Sequence, residues 1–288
     1  MRKIIFSDVT ARDGLQSLKK VLSLNDKIKL VNLISKVGFK EIEVGSLVNE
    51  EIIPSMKGSL DVYKKTMKPN KFKSILLAGN ENSIDIINKE KIKYFSLFTS
   101  PSNTFNIKNI NTDVNGSFIR FKKMLDKIED KEFHYIKGYI SCIGDCPYEG
   151  DISFEKIIKV VERFKELNID EICIADTIAK LKSNKLDLIL KEILKIYNQD
   201  KISLHLHVKD NDNLLWKENL DVAIKNNIYK FDTSISGIGG CPAVYSSEKS
   251  GNLDFLNAYL YFKDKGYHID SELDISYLLE IDDILHSI

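Results

Sequence analysis

The chain has 288 residues, 43% hydrophobic and 29% charged, a balance that fits a protein with a sizeable buried core rather than a disordered chain. Lys+Arg and Asp+Glu both number 42, so the zero formal charge gives no reason to expect nucleic acid or an acidic membrane as partner, and any anionic ligand must be held by local groups. No apolar run approaches the roughly 20 residues of a membrane span, and the opening MRKIIFSDVT is too short and too soon charged for a signal peptide. A cytoplasmic location is therefore expected, with Cys142, Cys146, Cys173 and Cys241 reduced.

In chain order, eight short runs rich in β-branched and aromatic residues read as strands: KIIFSDV from Lys3, FKEIEVGS from Phe39, KSILLAG from Lys73, KYFSLFTS from Lys93, YIKGYISCI from Tyr135, IDEICIAD from Ile169, ISLHLHV from Ile202 and YKFDTSIS from Tyr229. Amphipathic stretches lie between them. In SLNDKIKLVNLISKVG, Ile28, Leu30, Val31, Ile34 and Val37 recur at helical spacing before Gly38. In SFEKIIKVVERFKELN, which lacks a capping box, Phe154, Ile157, Ile158, Val161, Phe164 and Leu167 mark an apolar face. Strand and helix alternating eight times predict a (β/α)8 TIM barrel, with an open doubly wound sheet as the alternative. Residues 1–288 are expected to form a single barrel domain with a C-terminal helical tail.

In such a barrel the chemistry belongs at the C-terminal ends of the strands. Arg12 and Asp13 follow the first strand, Glu43 and Ser46 end the second, Asp176 and Thr177 close the sixth, His205 and His207 the seventh, and Cys241 follows the eighth. Residues two apart in a strand share a face, so His205 and His207 point into the barrel together. Two such imidazoles are half of a metal site or a hydrogen-bonded pair at a barrel rim. Asp13 is placed to add an oxygen donor, because the first strand adjoins the eighth and the eighth adjoins the seventh. A turn at Gly14 would let Asp13 face the mouth, with Arg12 as a fixed cation beside it. The stretch SGIGGCPAVYSSEKSGN fails as a phosphate-binding glycine loop, since its glycines lack the spacing and Pro242 intrudes.

TARDGLQS, GYISCIGDCPYEG, ADTIA, HLH and SGIGGCP…SGN, in this order, resemble the 3-hydroxy-3-methylglutaryl-CoA lyase family. Condensing relatives typically carry Glu where this chain has Leu15 and lack the Gly-Gly-Cys-Pro loop. The resemblance implies cleavage of 3-hydroxy-3-methylglutaryl-CoA to acetyl-CoA and acetoacetate by a homodimer. It further implies that Asp13, His205, His207 and Asn252 bind a divalent cation, Mg2+ or Mn2+, that Arg12 polarises the thioester carbonyl and that Cys241 acts in proton transfer. By the same resemblance Gln16, Glu43, Ser46, Asp176 and Thr177 lie near the substrate or support Arg12. Cys142, Cys146 and Cys173 read as small buried thiols.

The chain departs from this pattern around the acyl end. Val208-Lys209-Asp210-Asn211 follows the histidines where the family has Asp-Thr and a glycine turn; Asp210 is a possible substitute. Ala175 and Ala179 replace glycines, the Cys241–Asn252 spacing is longer, and Leu256 and Asn257 stand where acidic residues are usual. These changes leave open a sister lyase for citramalyl-CoA or another 3-hydroxy-3-alkyl acyl-CoA, a condensing enzyme, or a non-catalytic CoA-ester binding barrel.

Overall fold

The computed structural model describes residues 3–18, 20–67, 71–209, 214–240, 250–270 and 273–286. Its centre is a ring of parallel strands: β1 (Ile5–Asp8), β2 (Glu41–Ser46), β3 (Lys73–Leu77), β4 (Tyr94–Thr99), β5 (Tyr135–Ile140), β6 (Glu171–Asp176), β7 (Ile202–Lys209) and β8 (Lys230–Thr233). Consecutive strands pair, and β8 pairs with both β7 and β1, which closes the sheet. The alternation of strand and helix in the sequence thus produces the TIM barrel, and closure rules out the open sheet. A further strand, β9 (Ser250–Asn252), adds antiparallel to the end of β7 and sets Asn252 opposite His207.

The helices that cover the barrel are α1 (Leu24–Val37), α2 (Ser59–Thr66), α3 (Asn82–Glu90), α4 (Asn103–Ile110), α5 (Val114–Asp126), α6 (Phe154–Glu166), α7 (Ser183–Ile193), α8 (Leu215–Lys225) and α9 (Phe255–Asp264). A tenth, α10 (Leu278–His286), packs against α1. Helix α1 starts where Ser23 accepts the Asp26 N–H and stops at Gly38, whose φ of 103° suits only glycine well. Its buried face, Leu30, Val31, Leu33, Ile34 and Val37, seals the sheet beneath it. Helix α6 has no side-chain cap and relies on burial of Ile157, Val160, Val161 and Phe164, the last stacked on Phe121. Phe154, Ile158 and Leu167, expected on that face, are only partly buried along its margins.

Most strand limits are shorter than the β-branched runs suggest, although β7 runs one residue further, to Lys209. β5 stops at Ile140 because the chain turns through a left-handed residue, Cys142, at φ 57°. β8 ends at Thr233, where a short 3-10 turn over Ile235–Gly237 begins. The register of β2 against β3 slips between Glu43 and Gly45, a bulge that bends this strand beside a candidate site residue. Among the described residues no helix is long and apolar enough to cross a membrane.

Candidate active site and metal centre

The segment Thr10–Gly14 leaves β1 as a single π-helical turn, and this geometry, not a glycine turn, presents Arg12 and Asp13 to the barrel mouth. Gly14 serves a different purpose from the one its position suggests: its φ is not left-handed, but a Cβ there would lie 2.8 Å from the Ile238 side chain. It allows the loop after β8 to close on this turn. That loop carries Gly239, at φ 135°, where a Cβ would meet Asn252 Nδ2 at 2.1 Å and Asp13 Oδ2 at 3.0 Å. Glycine there leaves room for the two polar side chains.

Arg12 is buried and doubly held: Nε donates to Glu43 Oε2 at 2.6 Å and Nη1 to Asp13 Oδ1 at 2.6 Å. Glu43 also accepts the Ser96 hydroxyl at 2.9 Å, and the Arg12 guanidinium lies 5.3 Å from the centre of the Tyr139 ring. Burial disfavours its charge, but Glu43 and then Asp13 keep Arg12 ionised. No hydrogen bond among the described residues engages Nη2, which leaves that edge of the fork for a ligand.

Asp13, His205 and His207 each offer a ligand atom within 4.8 Å of the others. The imidazole Nε2 atoms are 3.2 Å apart, and His205 Nε2 is 4.0 Å from Asp13 Oδ2. His207 Nδ1 lies 2.8 Å from the Thr177 carbonyl, which can only accept, so Nδ1 carries the proton and Nε2 presents a lone pair. Burial, with His205 close by, brings the His207 imidazole down to about 4. For Asp13, burial acts upward, but Arg12 and then the two histidines hold its carboxyl below the usual range.

Asn252 completes the arrangement. Its Nδ2 donates to Asp13 Oδ2 and to the Ile238 carbonyl, both at 2.9 Å, and since both partners can only accept, the amide orientation is fixed. Oδ1 is thereby left buried with no hydrogen-bond partner. An orphaned amide oxygen beside a carboxylate and two imidazoles is a donor set that fits a divalent cation.

The remaining predicted positions are spread around this centre. Gln16 stands half-buried one turn beyond Arg12. Ser46 turns its hydroxyl to the Leu77 carbonyl, and Asp176 turns into the loop after β6, accepting the Leu181 N–H at 2.9 Å and the Lys180 N–H at 3.3 Å. Burial raises the Asp176 carboxyl to about 6, against the opposing effect of these amides. Thr177 accepts the Cys142 N–H through Oγ1 and holds His207 through its carbonyl. Glu43, Ser46, Asp176 and Thr177 therefore spend these contacts on arranging the protein. Val208 pairs with Gly251 of β9, next to the His207–Asn252 pair. Cys241, Asp210 and Asn211 lie outside the described residues.

Sequence reasoning missed the layer beneath the site. Asp232 Oδ1 accepts from Lys137 Nζ at 2.7 Å, and its Oδ2 accepts the Tyr139 hydroxyl at 2.8 Å and the Cys173 thiol at 3.4 Å. Cys173 is thus a thiol with a partner, not only packing. Strand parity carries the missed signal: Lys137 and Tyr139 alternate with apolar neighbours on β5, as Lys230 and Asp232 do on β8.

Comparison with known proteins adds to this geometry. The model of the HMGL-like family matches residues 3–285. The 3-hydroxy-3-isohexenylglutaryl-CoA/hydroxy-methylglutaryl-CoA lyase of Pseudomonas aeruginosa is 28% identical over 252 residues, 88% of this chain and 82% of that protein. Hydroxymethylglutaryl-CoA lyase YngG of Bacillus subtilis is 30% identical over 251 residues, 87% and 82% of the two chains. An HMG-CoA lyase structure from Acinetobacter baumannii, in complex with coenzyme A and 3-methylmalate, superposes with a TM-score of 0.89 at 25% identity, covering 99% of this chain and 90% of that one.

Proposed function

The chain belongs to the HMGL-like family, and on that premise we propose that it is a carbon–carbon lyase that cleaves 3-hydroxy-3-methylglutaryl-CoA to acetyl-CoA and acetoacetate by retro-Claisen chemistry. The observation that carries this reading is the Arg12 guanidinium, locked between Glu43 and Asp13 at the edge of the Asp13, His205 and His207 cluster, with the orphaned Asn252 amide oxygen beside it. Such a pairing suits a substrate with a hydroxyl at one end of the breaking bond and a thioester carbonyl at the other.

Cleavage has two requirements: the tertiary hydroxyl must lose its proton, and the departing carbon must leave as a thioester enolate. A divalent cation held by Asp13, His205, His207 and Asn252, Mg2+ or Mn2+, would supply Lewis-acid polarisation that lowers the hydroxyl pKa. A histidine or carboxylate at the barrel mouth takes the hydroxyl proton as the carbon–carbon bond breaks. Arg12 addresses the second requirement. Its unengaged N–H groups bind the thioester oxygen, and they bind it more strongly as negative charge develops there, so the interaction lowers the barrier rather than only tightening substrate binding. Glu43 and Asp13 fix the guanidinium beforehand, which removes the cost of orienting it during the reaction. Cys241 supplies the proton to the enolate carbon, since a thiol of ordinary pKa near 8.5 is largely protonated at neutral pH.

The coenzyme A bound in the Acinetobacter baumannii structure supports an acyl-CoA substrate here, and the longer acyl group in the Pseudomonas aeruginosa relative's name identifies the nearest competing substrate. The test is acetyl-CoA release from a panel of 3-hydroxy acyl-CoA thioesters, with Mg2+ or Mn2+ and with EDTA. Metal-dependent release from 3-hydroxy-3-methylglutaryl-CoA is the expected result. Release only from citramalyl-CoA or a longer 3-alkyl homologue would move the assignment to a sister lyase, and silence across the panel would refute lyase activity.

A further inference from the structure

Two histidines face the proposed cation, and each must keep a lone pair on Nε2 to bind it. His207 is oriented by the Thr177 carbonyl. The corresponding nitrogen of His205 has no such bond: Nδ1 is buried and makes no well-aligned hydrogen bond, and the acceptor it faces is Asp232 Oδ2 at 3.4 Å. The two residues are register partners, Asp232 on β8 opposite His205 on β7, so the approach is set by the sheet itself. Tyr139 clamps the pair, its ring edge-on to the His205 imidazole at 6.1 Å and its hydroxyl on the same carboxylate oxygen at 2.8 Å.

We propose that Asp232 is the positioning residue for His205, drawing the imidazole proton to Nδ1 and thereby presenting the Nε2 lone pair to the cation centre. This rests on the reading of Asp13, His205, His207 and Asn252 as that centre. A carboxylate is suited to the task because it accepts and never donates, so the tautomer with the proton on Nε2 would leave a lone pair facing an anion. Lys137 at 2.7 Å, with Tyr139 and Cys173, holds the carboxylate so that it cannot turn away. The histidines are therefore oriented by different means, one by a backbone carbonyl and one by a buried anion.

The test uses the full chain labelled with 15N-histidine, freed of metal by a chelator and then titrated with Mn2+. In the metal-free wild-type protein His205 Nε2 lies 3.2 Å from the His207 Nε2 lone pair, a contact that draws a proton to His205 Nε2; against it, Asp232 is expected to hold the His205 proton on Nδ1, with none on Nε2. A paired substitution, Asp232→Asn with Lys137→Met, removes the anion and its cation together, so that no buried charge is orphaned. An asparagine offers an NH2 as readily as a carbonyl, so the tautomer is no longer dictated; Mn2+ affinity is expected to fall about 10–100-fold. A purely structural ion pair would move neither readout. A wild-type His205 protonated on Nε2, or a folded double variant whose tautomer or Mn2+ affinity stays within about twofold of wild type, overturns the proposal. Failure of the wild-type protein to bind Mn2+ would refute the cation reading, and the wild-type tautomer would still decide what Asp232 does.

Discussion

Replacing Arg12 with methionine separates its structural pairing with Glu43 from the catalytic role proposed for it. Glu43 is 1% exposed and its 2.6 Å bond to Arg12 Nε is its only ionic contact among the described residues, the Ser96 hydroxyl at 2.9 Å being its other partner. Methionine fills similar volume but leaves that carboxylate buried without a counter-charge, which costs about 3–5 kcal/mol, a large part of a typical folding free energy. On the proposed mechanism the same change removes the donor to the developing enolate, worth about 2.7–4 kcal/mol in the transition state, or roughly 10²–10³-fold in kcat. Adding Glu43→Gln neutralises the orphaned group while its amide oxygen still accepts from Ser96, so the double variant should regain most of the stability and none of the rate. Urea denaturation reads the first effect and acetyl-CoA release the second. A single variant within about 1 kcal/mol of wild type, or a double variant that recovers turnover, would show that the Arg12–Glu43 pair does not work this way.

Asn252→Ala should weaken Mn2+ binding at least about tenfold, read by electron paramagnetic resonance of the free ion, because it removes an orphaned oxygen and the amide that fixes Asp13. Cys241→Ala should lower acetyl-CoA release by about 10²-fold or more with the fold unchanged; a near-normal rate would remove the thiol from proton transfer. Burial raises the Asp8 carboxyl to about 7 despite two bonds from Thr10, so the neutral form favours the folded state, and the stability this contributes is complete below about pH 4 and lost as pH rises to 7. That loss is about 4 kcal/mol, and denaturation of wild type against Asp8→Asn at pH 4 and pH 8 should show the variant gaining by a similar amount. Ala179 sits at φ 53°, so Ala179→Gly should raise the urea midpoint by the equivalent of about 0.5–1 kcal/mol, and a fall would mean that the loop after β6 is not strained there.

What the sequence makes legible follows from how local each determinant is. The strands announce themselves through β-branched runs, and the common direction of His205 and His207 follows from two-residue parity alone. The limit of β5 is not visible, because the turn at Cys142 forces a left-handed conformation on a residue that would otherwise suit a strand. Asn252 enters the site only through the antiparallel register of β9 on β7, which pairs segments 45 residues apart by direct numbering of Asn252 and His207 and has no local signature. Ser46 and Asp176 occupy strand ends that suggest a ligand, yet tertiary contacts turn their side chains to nearby backbone. Lys137, Tyr139 and Asp232 are the opposite case: their inward parity is readable, but a charge in a strand attracts attention only when it ends at the mouth.

These inward charges form a continuous line under the site. Glu41 Oε1 meets Lys230 Nζ at 2.7 Å, Lys230 meets Glu171 Oε2 at 2.5 Å, Glu171 Oε1 lies 3.7 Å from Lys137, and Lys137 meets Asp232 at 2.7 Å. Four strands, β2, β8, β6 and β5, contribute to it. Barrel interiors are ordinarily filled with branched apolar side chains, and a buried ion network seldom outperforms such packing in stability. Its physical effect lies in position instead. Because each interior member has an opposite charge on both sides, no one of them can rotate without stranding a neighbour in a dry interior, and the constraint passes along the line to Asp232. The carboxylate that faces His205 is thereby referenced to the whole barrel rather than to its own strand, which is the kind of support a cation centre needs if its ligands are to hold their orientation through each turnover.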